Sequence, residues 1–218
     1  MKKLSVFIFS LFLLFPATVF ANGKPQPTPT PTPSPVIICI DAGHGGADTG
    51  ATYGNLTEAQ ETLDIAIKLQ TLLTNAHYNV VMTRIDNLTS TTTLSNSDRA
   101  TICNNANANY LVSIHLNGST NHAIDYTEGL YGKPAKDKAW AQKINNAMAQ
   151  LSNATGTGTI TNNGITNFAD GVLIKANMPA TLAETVFISS DAEYSLLISG
   201  ETRQQQIAQV LFNGINSN

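Results

Sequence analysis

Val36-Ile37-Ile38-Cys39-Ile40, running straight into Asp41-Ala42-Gly43-His44-Gly45-Gly46, is the stretch on which the reading of the fold turns. An apolar, largely β-branched run with proline before it and glycine after it reads as a buried strand that empties into a glycine-rich loop. A helix follows at Glu58. Thr57 and Gln60 form a Thr-x-x-Gln capping box, and Leu63, Ala66, Ile67 and Leu73, widened by Ile65, Leu69 and Leu72, make the broad apolar stripe of a helix packed on a sheet, ending near Asn75. Tyr78 to Thr83 reads as a second strand, Leu94 to Asn105 as a helix carrying Arg99, and Tyr110 to Ile114 as a third, fully buried strand. Trp140, Ile144, Ala147, Met148 and Leu151 then recur at helical spacing. Val172 to Ile174 and Thr181 to Phe187 read as strands, and Ile207, Val210, Leu211 and Ile215 mark a closing helix. Strands alternating with helices predict an α/β fold: a single domain with a twisted, mostly parallel sheet covered by helices on both faces.

Upstream of that domain, Lys2 and Lys3 precede an apolar run from Leu4 to Phe15, followed by Pro16 and a Val19-Phe20-Ala21 step. This is the order of a secretory signal, so residues 1–21 are expected to be a signal peptide cut after Ala21, and the protein to be secreted or held in the cell envelope. An uncleaved anchor is the alternative, against which the run is short of the ~20 residues a spanning helix needs. Residues 22–35 are a Pro/Thr-rich linker that cannot bury apolar surface, which leaves 36–218 as the domain. A formal net charge of −3, with no clustered basic surface, excludes nucleic acid as a partner. Nothing later in the chain suggests a membrane domain, and the protein is expected to be a monomer. Cys39 and Cys103 allow one disulfide in an exported chain, but both lie in apolar segments, where buried free thiols are the favoured reading.

In parallel sheets, ligands gather beyond the carboxyl ends of the strands. His44 follows the first strand and His115 directly follows Leu111-Val112-Ser113-Ile114, so both would reach that rim, and Glu58 begins the helix after the glycine loop. Two imidazoles and a carboxylate suit Zn²⁺, which takes three protein ligands at a catalytic site and keeps a fourth position open. The separations, 14 residues and then 57, form no compact signature. Taken singly, each histidine could be a hydrogen-bonded loop residue and the glutamate a helix-dipole partner. Jointly, beside a loop with backbone room for a ligand, the metal reading is the better one. Glu184 stands in an otherwise uncharged strand, where an unpartnered carboxylate is costly, which makes it the candidate general base and acid; the structural alternative pairs it with Arg84 or Arg99. His77 and His122 read as surface residues, and Glu61, Asp64 and Glu193 as solvated acids on helix surfaces.

These residues resemble the zinc-dependent N-acetylmuramoyl-L-alanine amidases of the amidase_3 type over Val36 to Ile215. The resemblance is carried by Ile40 to Gly46 with Asp48 and Gly50, by Glu58 with Leu63, Ile65 and Ala66, by Val80 to Arg84 with Asp86, by Arg99, by Val112 to Asn117, and by Met178 to Ser189. It implies one Zn²⁺ held by His44, Glu58 and His115, Glu184 as the catalytic residue, and peptidoglycan as substrate, cut between the lactyl group of N-acetylmuramic acid and the L-alanine of the stem peptide. Ala59, His77, Asn109 and Asn163 depart from the family pattern, where lysine, glycine, aspartate and arginine are usual; Asn163 is the departure that would bear on substrate contacts. Three readings compete: a wall-binding module without chemistry, a zinc peptidase acting on a stem-peptide cross-link, and a two-carboxylate glycosidase. The last leaves His44 and His115 unexplained.

Overall fold

The computed structural model of the chain describes residues 35–89 and 91–217; the expected signal peptide and all of the linker but Pro35 lie outside them. Strand β1 (Ile37–Ala42) leads through the hairpin β2 (Thr52–Tyr53) and β3 (Leu56–Thr57) into helix α1 (Glu58–Asn75) and back to β4 (Asn79–Met82). Then come α2 (Asn96–Asn105), β5 (Tyr110–Asn117), β6 (Thr127–Tyr131), α3 (Pro134–Met148), β7 (Asn162–Asn167), α4 (Gly171–Lys175), β8 (Ala180–Phe187), α5 (Asp191–Leu197) and α6 (Thr202–Asn216). Six strands form one sheet in the order β4-β1-β5-β8-β6-β7. The first four lie parallel, while β6 runs antiparallel to β8 and parallel to β7.

The period-2 alternation of the strands divides the core in two. Ile38, Ile40 and Ala42 of β1 and Val112, Ile114 and Leu116 of β5 face α1, α3 and α6, where Ile65, Leu69, Ile144, Met148, Ile207 and Leu211 complete the larger cluster. Each of the Ile, Leu, Val and Met side chains among these, fully buried, contributes on the order of 1.5–3 kcal/mol. On the other face Cys39, Leu111 and Ala180 meet Ala100 and Cys103 of α2 and Val172 and Leu173 of α4. Asp41, Ser113, His115 and Glu184 share the parity of that second face, and three of them stand at or near the carboxyl ends of their strands. Among the described residues no helix is long and apolar enough to cross a membrane.

Four expectations change. Cys39 and Cys103 form a disulfide, with Cα atoms 5.6 Å apart, because β1 and α2 pack directly on one another; burial and pairing coexist here. Val172–Ile174 lies within helix α4, started by the Asp170 side chain accepting from Gly171 N, rather than in a strand. The polar segments Thr127–Tyr131 and Asn162–Asn167, to which the sequence pattern assigns no element, are strands that extend the sheet. Thr57 caps α1 by accepting from Gln60 N at 3.3 Å, but the Gln60 side chain turns to Asp64 instead of closing the box.

Candidate metal centre

The loop after β1 owes its path to three successive residues with left-handed backbones: His44, Gly45 and Gly46 have φ of 58°, 119° and 69°. For histidine this conformation costs on the order of 1 kcal/mol, so the surroundings must hold it. Glycine is required at position 43 for space, since a Cβ there would lie 2.5 Å from His115 Cε1. His115 projects from β5 on the same sheet face as Ser113. Glu58 opens α1, and two backbone amides fix its carboxylate: Leu116 N donates to Oε1 at 3.0 Å and Ala51 N to Oε2 at 2.9 Å.

These elements bring His44, Glu58 and His115 together, with one donor atom from each lying within 4.8 Å of the others. Glu58 Oε1 sits 3.1 Å from His44 Nε2 and 3.0 Å from His115 Nδ1, and the two imidazoles meet edge to face. His44 Nδ1 lies 2.9 Å from Asp48 Oδ2, so that Nε2 is the ring nitrogen turned to the cluster. An outer carboxylate of this kind orients metal-binding histidines. Burial alone would lower the His44 pKa, but the Glu58 and Asp48 hydrogen bonds and charges outweigh it and raise it to about 9. Burial would likewise raise Glu58, yet hydrogen bonds from both imidazoles hold it well below the usual carboxylate range. The cluster thus draws positive charge to its centre, and its donors, two nitrogens and a carboxylate oxygen already pinned by backbone and outer carboxylate, fit Zn²⁺.

Glu184 lies beside His115 in the parallel register of β8 on β5. Its Oε2 is buried without a hydrogen-bond partner. Burial pushes its pKa up, His115 opposing and Glu58 adding to the shift. It shares a cavity of about 850 Å³ with His44, Glu58 and His115; Leu130, Leu182, Val172 and Leu173 form an apolar wall there and Phe168 stands at the same opening. Neither arginine pairs with Glu184: Arg99 engages Asp41 at 2.8 Å, and Arg84 serves backbone carbonyls. A buried carboxylate with a free oxygen beside a candidate cation site can accept and return a proton.

His77 and His122 are exposed, and His77 terminates α1 with φ 65° where a glycine is usual. Asn109 ties the start of β5 to β1, its Oδ1 accepting from Ile37 N at 2.7 Å. Asn163 is exposed on β7 and does not line the cavity. Two of the acids expected to be solvated are buried: Glu61 bonds Gln204 where α1 packs on α6, and Glu193 pairs with Arg203. Their helices are covered on faces that sequence periodicity leaves looking polar. Sequence reasoning also passed over Asp48 as the partner of His44, although its place four residues on, within a glycine-rich loop, was a usable signal, and it passed over the wall supplied by α4.

A family model described as Amidase_3, N-acetylmuramoyl-L-alanine amidase, matches residues 38–217. The chain is 34% identical over 163 residues to the sporulation-specific N-acetylmuramoyl-L-alanine amidase of Bacillus subtilis (strain 168), covering 74% of this chain and 60% of that protein. It is 30% identical to the germination-specific N-acetylmuramoyl-L-alanine amidase of the same organism, covering 99% and 93%. The crystal structure of an N-acetylmuramoyl-L-alanine amidase from Clostridium difficile 630 superposes with a TM-score of 0.72 at 33% identity, covering 83% of this chain and 95% of that one. The chain spans about 60% of the length of the first curated relatives it matches.

Proposed function

The chain belongs to the Amidase_3 family, and from that premise we propose that it is a peptidoglycan hydrolase. Its reaction is cleavage of the amide between the lactyl group of N-acetylmuramic acid and the L-alanine of the stem peptide. One Zn²⁺ is held by His44, Glu58 and His115. The observation that carries the reading is the convergence of those three donors on a cavity that also holds the unpartnered carboxylate oxygen of Glu184.

Zn²⁺ at such a site supplies Lewis acidity to the scissile carbonyl and to the attacking water. Asp48 keeps the proton of His44 on Nδ1, and Leu116 N and Ala51 N hold Glu58 so that it does not rotate away. Glu184 takes one proton from water as the water oxygen bonds to the lactyl carbonyl carbon, and returns it to the alanine nitrogen as the carbon–nitrogen bond breaks. The products are a lactyl carboxylate and a stem peptide with a free amino terminus. A carboxyl raised by burial suits both halves of this transfer better than an ordinary one, and the apolar wall of Leu130, Leu182, Val172 and Leu173 keeps bulk water from Glu184. Export by a signal peptide at residues 1–21, action in the cell envelope and a monomeric state complete the proposal.

Peptidoglycan digested with the purified chain, analysed by mass spectrometry beside Glu184→Gln, tests it. The parent is expected to release stem peptides beginning with L-alanine, and the variant to lose about 10²–10⁴-fold in rate with its zinc content unchanged. Cuts confined to peptide bonds would move the reading to a peptidase. Equal rates in the two proteins would remove Glu184 from the chemistry.

A further inference from the structure

Two arginines outside the donor set converge on the backbone of the loop that carries His44. Arg99 of α2 donates from Nη1 to Ala42 O at 2.7 Å and to Asp41 Oδ1 at 2.8 Å, and from Nη2 to His44 O at 2.6 Å. Its Nε reaches back to Leu94 O at 3.2 Å. Arg84, just past β4, donates from Nε to Ala42 O at 2.9 Å, and from Nη2 to Gly43 O at 2.8 Å and to Ala59 O at 2.7 Å. The carbonyls of residues 42, 43 and 44 therefore all accept from guanidinium groups, and the grip on Ala59 extends to the residue beside Glu58. Both arginines are buried.

This arrangement has a physical cause. The left-handed turn at His44 to Gly46 takes the backbone out of strand geometry, so its carbonyls lose the sheet partners that would otherwise satisfy them. Gly43 O also accepts from Thr62 Oγ1 at 2.8 Å, but without the guanidinium donors the loop's carbonyls are under-satisfied, which favours reversal of the turn. A guanidinium offers five donors in a fixed plane and serves several carbonyls at once, which an ammonium does not. Neither arginine hydrogen-bonds to the histidine nitrogens or to the Glu58 carboxylate.

We propose that Arg84 and Arg99 are positioning residues that set the zinc affinity of the His44, Glu58 and His115 centre, by holding the loop in its left-handed path and tying it to the start of α1. The inference rests on the metal-centre reading given above. It makes the fork shape of the side chain, and not only its charge, the property that matters. The rival role for Arg99, which also lines the cavity, is a direct contact with substrate.

The test is zinc competition against a chromophoric chelator, with thermal melts alongside, on the purified full-length chain, Arg84→Lys, Arg99→Lys and Ile207→Val. The last removes a methylene from the core at α6, on the sheet face opposite α2, and serves as a destabilised control. Both lysine variants are expected to bind zinc about 10–100-fold more weakly than the parent, while Ile207→Val melts earlier and keeps the parent affinity. Lysine variants that bind zinc as tightly as the parent overturn the inference, and if Arg99→Lys then raises KM alone, the direct substrate contact takes its place. An equal loss in Ile207→Val also overturns it, because general destabilisation would then suffice. A parent that takes up no zinc overturns the metal-centre reading itself, so the two failures are distinct.

Discussion

Gly50 shows how little freedom single residues have around the donors. Its φ is 62°, and a Cβ would fall 2.6 Å from Glu58 Oε2 and 2.7 Å from His44 Cδ2. Gly50→Ala is therefore expected to cost on the order of 1 kcal/mol in backbone strain, and to displace two donors at once, so that zinc affinity falls by more than stability does. A zinc titration paired with a denaturant melt checks this; unchanged affinity would show that the loop absorbs the methyl group without moving the donors. Much of this scale was legible. The convergence of His44, Glu58 and His115 was readable because strand ends and a helix start bring them to one rim, and Glu184 stood out as the one charge in an uncharged strand. The backbone amides of Leu116 and Ala51, which fix Glu58, were not, since every residue carries an amide and only tertiary structure selects two of them.

At the scale of elements, the Cys39–Cys103 bridge ties β1, whose far end opens into the His44 loop, to α2, which carries Arg99. It closes a 64-residue separation, worth about 4 kcal/mol by loop-closure entropy. Cys39→Ser with Cys103→Ser is expected to lower unfolding free energy by roughly that amount, measured by denaturant titration of the two proteins without reductant; a shift near zero would place the stability in packing alone. Helix α4 and strands β6 and β7 mark where sequence ceased to suffice. Val172-Leu173-Ile174 is too short a run for periodicity to separate strand from helix, and the deciding feature is the Asp170 cap. Strand β7 carries Asn162, Asn163 and Asn167, with Gly164 between them, at the sheet's edge, where no apolar alternation is needed because one side stays exposed. In contrast, β1, β5 and β8 were legible because central parallel strands are apolar on both faces.

For the molecule as a whole, buried carboxylates set how stability follows pH. Burial alone would raise the pKa of Asp41, but the Arg99 charge and hydrogen bonds from Ser113 and Thr83 hold it below its ordinary value. Its folded pKa is thus below the unfolded value of about 3.9, so its contribution is complete above that pH and is lost as pH falls through the folded value. Glu193 acts in the opposite sense: burial, with Asp125 beside it, raises its pKa above the ordinary value against the pull of Arg203, so its contribution is complete below about 4.3 and is lost as pH rises through the raised folded value. Asp41→Asn is expected to cost about 3–5 kcal/mol near neutral pH by leaving Arg99 without its partner, and to flatten the loss of stability below about pH 4, followed by denaturant midpoints across a pH series. An acid limb as steep as the parent's would assign that loss to other carboxylates. The proposed activity depends on one cation at one place, and the most direct measurement is metal analysis of the purified chain with X-ray absorption at the zinc edge. One zinc per chain with nitrogen and oxygen neighbours at about 2.0–2.2 Å, absent from His44→Ala, is the expected result. A chain without zinc, or one in which His44→Ala retains it, would contradict the site.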